Sequence, residues 1–208
     1  MTMGCAAAAA AGSFAAEERP VFSDFFTPPG GLDLYLRHMH DLTGWRRVKS
    51  PSRRGARSLE MTLRFSKRFR RATLFWDLSP VHFTRLRTAL FNPNGPEHPV
   101  YFRSVLRTTK RKVWRAPYYG SSGGAESRPG RPHDSGAKPL PPGGSGWIPY
   151  EVDLERDAMM RTGREDDDRG SIDDAAFEFI MFFFEPPDGY RRWGEPLRLI
   201  MDGIECFA

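Results

Sequence analysis

Basic side chains fall into three tight groups: Arg53 with Arg54; Lys67, Arg68, Arg70 and Arg71; and Arg107 to Lys112, with Lys110, Arg111 and Lys112, which runs into Trp114. Guanidinium and ammonium groups at this density bind phosphate oxygens through charge-assisted hydrogen bonds and release condensed counterions. The same residues also make an ordinary solvated surface, so their spacing indicates a class of partner, polyanions, and no reaction. Asp166, Asp167 and Asp168 form an acidic run. No complementary ligand spacing accompanies them, so they read as a solvated loop and no metal is expected there. Cys5 and Cys206 stand at opposite ends and match no metal pattern. A terminal-to-terminal disulfide is one reading, and two reduced thiols, as inside a cell, is the simpler one.

The charge is divided along the chain. Residues 46–115 hold 19 Lys and Arg against 3 Asp and Glu, whereas residues 150–208 hold 7 Arg against 16 Asp and Glu, so the net +5 hides two opposed halves. The basic half draws anionic partners at long range, and the acidic half can fold back on it and neutralise part of that field. A hydrophobic fraction of 39% with 16 Phe among 208 residues predicts one globular domain with a real core. No apolar run approaches the length of a membrane span. The Ala-rich stretch 1–16 lacks the basic start of a signal peptide, and Met3-Gly4-Cys5 resembles an acylation signal only if translation begins at Met3. Residues 1–19 are therefore expected to be a disordered leader, residues 20–208 one domain, and the location cytoplasmic.

The elements that must carry these groups follow from periodicity. Leu32, Leu34, Tyr35, Leu36, Met39 and Leu42 include helical spacing, with Gly44 as a stop, which predicts a helix over 32–43. Leu59, Met61, Leu63 and Phe65 alternate with polar residues and predict a strand. Ala72–Trp76, Val81–Leu86 and Pro99–Leu106 add three more, giving an antiparallel meander. Residues 120–146, rich in Gly, Pro and Ser, read as a flexible loop too polar for core. A helix is expected over Asp153–Met160. Ser171 and Asp174 resemble a capping box, and Ile172, Ala175, Ala176, Phe179, Ile180, Phe183 and Phe184 share a helical face ending at Pro186-Pro187. A strand over Phe177–Phe184 competes with that helix, because aromatics also suit a sheet. Leu197–Phe207 is apolar enough to be core. The expected fold class is α+β, an antiparallel sheet meander followed by a helical part.

Four patches stand in order along the chain: Val21–Phe26 followed by the Tyr35–Leu42 helix, Met61–Arg64 with Ala72–Leu74 and Val81–Phe83, Tyr150 with Asp153–Ala158, and Leu199–Cys206. In that order they resemble the ribosome-inactivating proteins of plants, a family of rRNA N-glycosidases. The resemblance implies an enzyme that flips one adenine from a ribosomal RNA loop, stacks it between aromatic rings and cleaves its glycosidic bond through an oxocarbenium-like transition state. By that likeness Glu205 is the catalytic carboxylate, Tyr150 one stacking ring, and His82 stands where the family has its second tyrosine. Arg53, Arg54, Lys67, Arg68, Arg70, Arg71, Lys110, Arg111 and Lys112 would hold RNA. No metal and no organic cofactor is implied; the partner is ribosomal RNA or the ribosome, and the outcome is inhibition of translation. The pattern departs where the family's arginine, three residues after the glutamate, would fall on Ala208. That leaves the catalytic set incomplete. Two other classes stay open: a non-catalytic basic module for RNA or another polyanion, and an interaction protein whose basic and acidic halves pair.

Overall fold

The computed structural model describes residues 18–24, 42–54, 57–68, 70–121, 136–157, 159–162 and 176–208. Among them every regular element is a strand: β1 (Phe22–Asp24), β2 (Leu42–Val48), β3 (Ser58–Arg64), β4 (Ala72–Val81), β5 (Arg85–Phe91), β6 (Tyr101–Thr108), β7 (Val113–Arg115), β8 (Ile148–Asp153), β9 (Met160–Thr162), β10 (Phe177–Glu185) and β11 (Pro196–Phe207). Sheet 1 runs β2-β3-β11-β5-β8, with β1 also on β11, and sheet 2 runs β4-β10-β6-β7-β9. All the pairings are antiparallel.

The two sheets face each other over one core. Sheet 1 contributes Leu59, Met61, Leu63, Leu86, Leu90, Ile148, Tyr150, Val152, Leu199 and Met201, and sheet 2 contributes Leu74, Trp76, Phe102, Leu106, Ile180, Phe182 and Phe184. Phe102 meets Tyr150 edge to face across the gap, with ring centroids 4.7 Å apart. Alternate residues of each strand point outward, as the pleat requires. The α+β expectation is thereby corrected: among the described residues this is an antiparallel β-sandwich.

Each misread segment has a physical cause. β10 lies between β4 and β6, and its outward residues Phe179, Met181 and Phe183 are apolar like its inward ones. A strand with apolar residues on both faces shows no alternation, so helical spacing emerges by accident. The competing strand reading of Phe177–Phe184 is the one the structure adopts. Ser171 and Asp174 lie outside the described residues. Where Asp153–Met160 was expected to be helical there is a single tight turn, held because the Asp153 carboxylate accepts the backbone N–H groups of Glu155 and Arg156 at 3.1 and 3.0 Å. The helix over 32–43 also lies outside the described residues, save Leu42 and Thr43, which begin β2, and Gly44 sits inside that strand.

The meander is replaced by alternation between layers. β3 and β5 belong to sheet 1 and β4 and β6 to sheet 2, so each short connection crosses the sandwich. β4 continues through Asp77-Leu78-Ser79-Pro80, and Pro80 is tolerated because β4 is an edge strand. Leu140, from the segment expected to be too polar for core, is buried, and its N–H donates to the Val100 carbonyl at 2.8 Å.

Candidate functional site

Sheet 2 brings charged and aromatic side chains together on its outer face. In β6 the outward positions are Tyr101, Arg103, Val105 and Arg107, and in β10 they are Phe179, Met181, Phe183 and Glu185. Strand register places Arg103 opposite Phe183 and Arg107 opposite Phe179. Arg71 just before β4, Arg115 at the end of β7 and Tyr118 beyond it complete the face.

The groups form ring–guanidinium–carboxylate sets. The Arg71 guanidinium lies 4.2 Å from the Phe183 ring centre, and its Nε donates to Glu185 at 2.5 Å. Arg107 lies 4.2 Å over Phe179 and donates to Glu178 at 2.7 Å. Arg103 lies 4.2 Å over Tyr118, whose hydroxyl donates to Glu185. Burial, then the Glu185 charge, raises the Tyr118 pKa, so this phenol keeps its proton. Arg71 and Arg107 are 41% and 40% exposed, whereas Arg103 is only 4% exposed. Chemically the face sets donors, acceptors and aromatic rings side by side, with Phe183, Tyr118 and Glu185 buried and Phe179 half-buried.

A second hollow lies on sheet 1. It encloses about 680 Å³ between Glu18, Arg19, Arg54, Arg87, Glu205 and Phe207. Four of its five charged residues are ion-paired: Arg54 with Glu205, Arg87 with Glu151, and Glu18 with Arg85. Arg85 and Arg87 flank the Phe207 ring at 5.0 and 4.8 Å. Asp202 accepts the backbone N–H groups of Arg53 and Arg54 at 2.6 and 2.8 Å and the Ser58 hydroxyl at 3.3 Å. These bonds strap the 53–54 loop to sheet 1.

The residues singled out from the sequence lie apart. Glu205 is on the outer face of sheet 1 in β11, its carboxylate bonded at both oxygens by Arg54 Nη1 at 3.1 and 3.0 Å. Tyr150 points the other way, into the core. Its hydroxyl accepts the Ser104 N–H at 2.9 Å, lies 3.1 Å from the Ser104 hydroxyl, and tethers β8 to β6. Burial pushes its pKa up to about 12. His82 is exposed in the link between β4 and β5. No cleft gathers these three, because one sheet separates Tyr150 from Glu205.

The basic residues are also dispersed. Arg53, Lys67, Lys110 and Arg111 are exposed, Arg68 is exposed, and Lys112 is half-buried. Arg54 is bound to Glu205, Arg70 to Asp188 at 3.0 Å, and Arg71 to Glu185. Arg107 was singled out only as the start of the basic patch that runs to Lys112, and sequence reasoning missed Arg103, Arg115, Tyr118, Glu178 and Glu185. The alternation Tyr101, Arg103, Val105, Arg107 was the available signal for Arg103.

A scan against protein-family models finds no match, and a search of curated proteins finds none. Among solved structures the chain is similar to the glycoside hydrolase domain Spr0440, Endo-D, of Streptococcus pneumoniae R6, at 13% identity and a TM-score of 0.42 over 79% of this chain and 20% of that one. It thus spans about a fifth of that domain. It is also similar to CBM27-1 of Caldicellulosiruptor saccharolyticus, solved with mannohexaose, at 8% identity and a TM-score of 0.48 over 84% of this chain and 87% of that one. The third is the xylan-binding CBM22-1 of Paenibacillus barcinonensis Xyn10C, at 9% identity and a TM-score of 0.40 over 91% and 96%. These likenesses are too slight to carry an argument about function.

None of the three is a ribosome-inactivating protein, and the family resemblance is withdrawn. The segment expected as a buried helix bearing the catalytic glutamate is strand β11. The expected rRNA N-glycosidase activity, the translation-inhibiting role and the ribosomal RNA partner go with it.

Proposed function

We propose that this chain is a glycan-binding β-sandwich module whose ligand lies along the outer face of sheet 2. The observation that carries the reading is the repetition of one composite group on that face. Phe179 with Arg107 and Glu178, and Phe183 with Arg71 and Glu185, stand four residues apart along one strand. That separation is about 13 Å in an extended chain, the length of a short oligosaccharide.

The chemistry suits sugars. A sugar ring offers C–H groups on its faces and hydroxyls at its edge, each hydroxyl both donor and acceptor. A ring beside a guanidinium–carboxylate pair answers all three needs, and a sheet holds the groups at fixed spacing without hinge motion. Mannohexaose and xylan are ligands of the two modules above; here the composite groups on the sheet 2 face support glycan binding.

The test is retention of the purified chain on immobilised polysaccharides, neutral and acidic, in affinity electrophoresis. At least one class is expected to retard the chain. Arg107→Ala, which removes an exposed member of one set, should weaken that retardation about tenfold, as for a lost charge-assisted hydrogen bond of about 1.5 kcal/mol. Equal mobility on every polysaccharide, or retention unaltered by Arg107→Ala and by Phe179→Ala together, would remove the proposal.

A further inference from the structure

One end of the sheet 2 face is not balanced. Among the described residues, Arg71, Arg103 and Arg115 gather there around one carboxylate, Glu185. Arg115 stands opposite Val105 in the ladder, beside the outward Arg103 of the same strand. The repulsion among the three is felt at Arg115, whose pKa is lowered by burial first and then by Arg103 and Arg71. Glu185 is already engaged by Arg71 at 2.5 Å and by the Tyr118 hydroxyl. Arg103 reaches it only at 3.9 Å, too far for a hydrogen bond.

Two donors are left over. The Nε atoms of Arg103 and Arg115 are buried and have no hydrogen-bond partner among the described residues. A guanidinium N–H withdrawn from water and left unpaired is costly, and the cost is recovered if an anion accepts it. Arg103 has no freedom to turn away, being packed against Tyr118 at 4.2 Å and Phe183 at 5.8 Å. The remainder of the face, at Arg107 and Glu178, is paired one to one.

We infer that Arg103 and Arg115, with Arg71 beside them, form a subsite for one oxyanion group carried by the glycan, a uronate carboxylate or a sulfate ester. The inference rests on the glycan-binding reading and narrows it to acidic sugars, with the anionic residue at the Tyr118 end and neutral residues towards Phe179. A planar guanidinium fork meets a carboxylate or sulfate through two parallel bonds, which makes such a group the natural acceptor.

The experiment compares a uronic acid oligosaccharide with the same oligosaccharide after its carboxyl groups are reduced to alcohols. Binding to the full chain is measured by calorimetry at low salt. Inorganic sulfate alone forms a third arm, and Arg115→Gln is the variant. The uronate should bind about 10- to 100-fold more tightly than its reduced form, as charge-assisted bonds exceed neutral ones. Arg115→Gln should erase that difference by bringing the uronate's affinity down towards that of the reduced form. The Arg103 Nε–H proton should shift in NMR spectra with the uronate and not with the reduced sugar.

Equal binding of the two oligosaccharides would overturn the anionic subsite and leave glycan binding standing. Sulfate binding as tight as the uronate would also overturn it, since the site would then take free ions and not a sugar-borne group. If neither oligosaccharide binds, the acidic-sugar subsite is overturned, and the glycan reading falls with it only if the chain also runs with equal mobility on every polysaccharide.

Discussion

Replacing Glu185 with Gln tests the electrostatics of the sheet 2 face directly. The substitution keeps the shape and removes the one negative charge that Arg71, Arg103 and Tyr118 share. Two hydrogen bonds lose their ionic partner, about 1 kcal/mol each. Arg103, 4% exposed, loses the one ion pair it makes among the described residues, for about another 1 kcal/mol. The Arg71 share is discounted because that side chain is 41% exposed and screened by water. A net loss of about 2–3 kcal/mol is expected. Urea unfolding followed by tryptophan fluorescence would read it, with a midpoint about 1–1.5 M lower if the slope is about 2 kcal/mol per M. Sulfate should restore more stability to Glu185→Gln than to the parent, because the variant holds an unbalanced cluster. A midpoint within about 0.3 M of the parent, with no added response to sulfate, would refute the view that Glu185 anchors three groups.

Other consequences concern the framework. Tyr150→Phe leaves the buried Ser104 N–H without its acceptor and should cost about 1–3 kcal/mol in the same unfolding assay. Because burial raises the Tyr150 pKa to about 12, its proton is held more tightly in the folded state than in the unfolded one. Its contribution to stability is therefore complete below about pH 10 and lost as pH rises towards 12, which unfolding measured across that range should show. The Cys206 thiol is fully buried and its pKa is raised by burial and by Glu205, so it should resist a thiol reagent at pH 8 until the chain is unfolded. Asp202→Asn weakens the strap on the 53–54 loop, and trypsin should cut after Arg53 or Arg54 faster than in the parent while leaving β11 intact.

How far the sequence spoke for the structure depends on what covers each strand. β3 was legible because Glu60 and Thr62 face outward between Leu59, Met61 and Leu63, so alternation survives in the letters. β10 and β11 were not, since both are interior strands with apolar or ion-paired residues on both faces. In β11 the bulge between Asp202 and Ile204, with Gly203 at a φ of 63°, also breaks the period. Local turn signals located most of the early strands, but they do not distinguish a hairpin from a crossing between sheets. That distinction depends on pairings such as β3 with β11, from opposite ends of the chain. The candidate site shared this limit. Arg71 stood out in a dense cluster, yet its partner Glu185 comes from β10, and only the assembled sheet brings them together. Dense clusters of charge drew the eye to loops, whereas the buried Arg103 is isolated in sequence and the half-buried Arg115 stands just beyond the 110–112 cluster.

The central claim is the location of ligand binding, and an amide-detected NMR titration of the full chain with the uronic acid oligosaccharide tests it most directly. Shifts confined to β4, β6, β7 and β10, strongest around Arg103, Phe179 and Phe183, are the predicted result. Shifts centred on Arg54, Arg87 and Glu205 in the sheet 1 hollow, or none at saturating sugar, would contradict it.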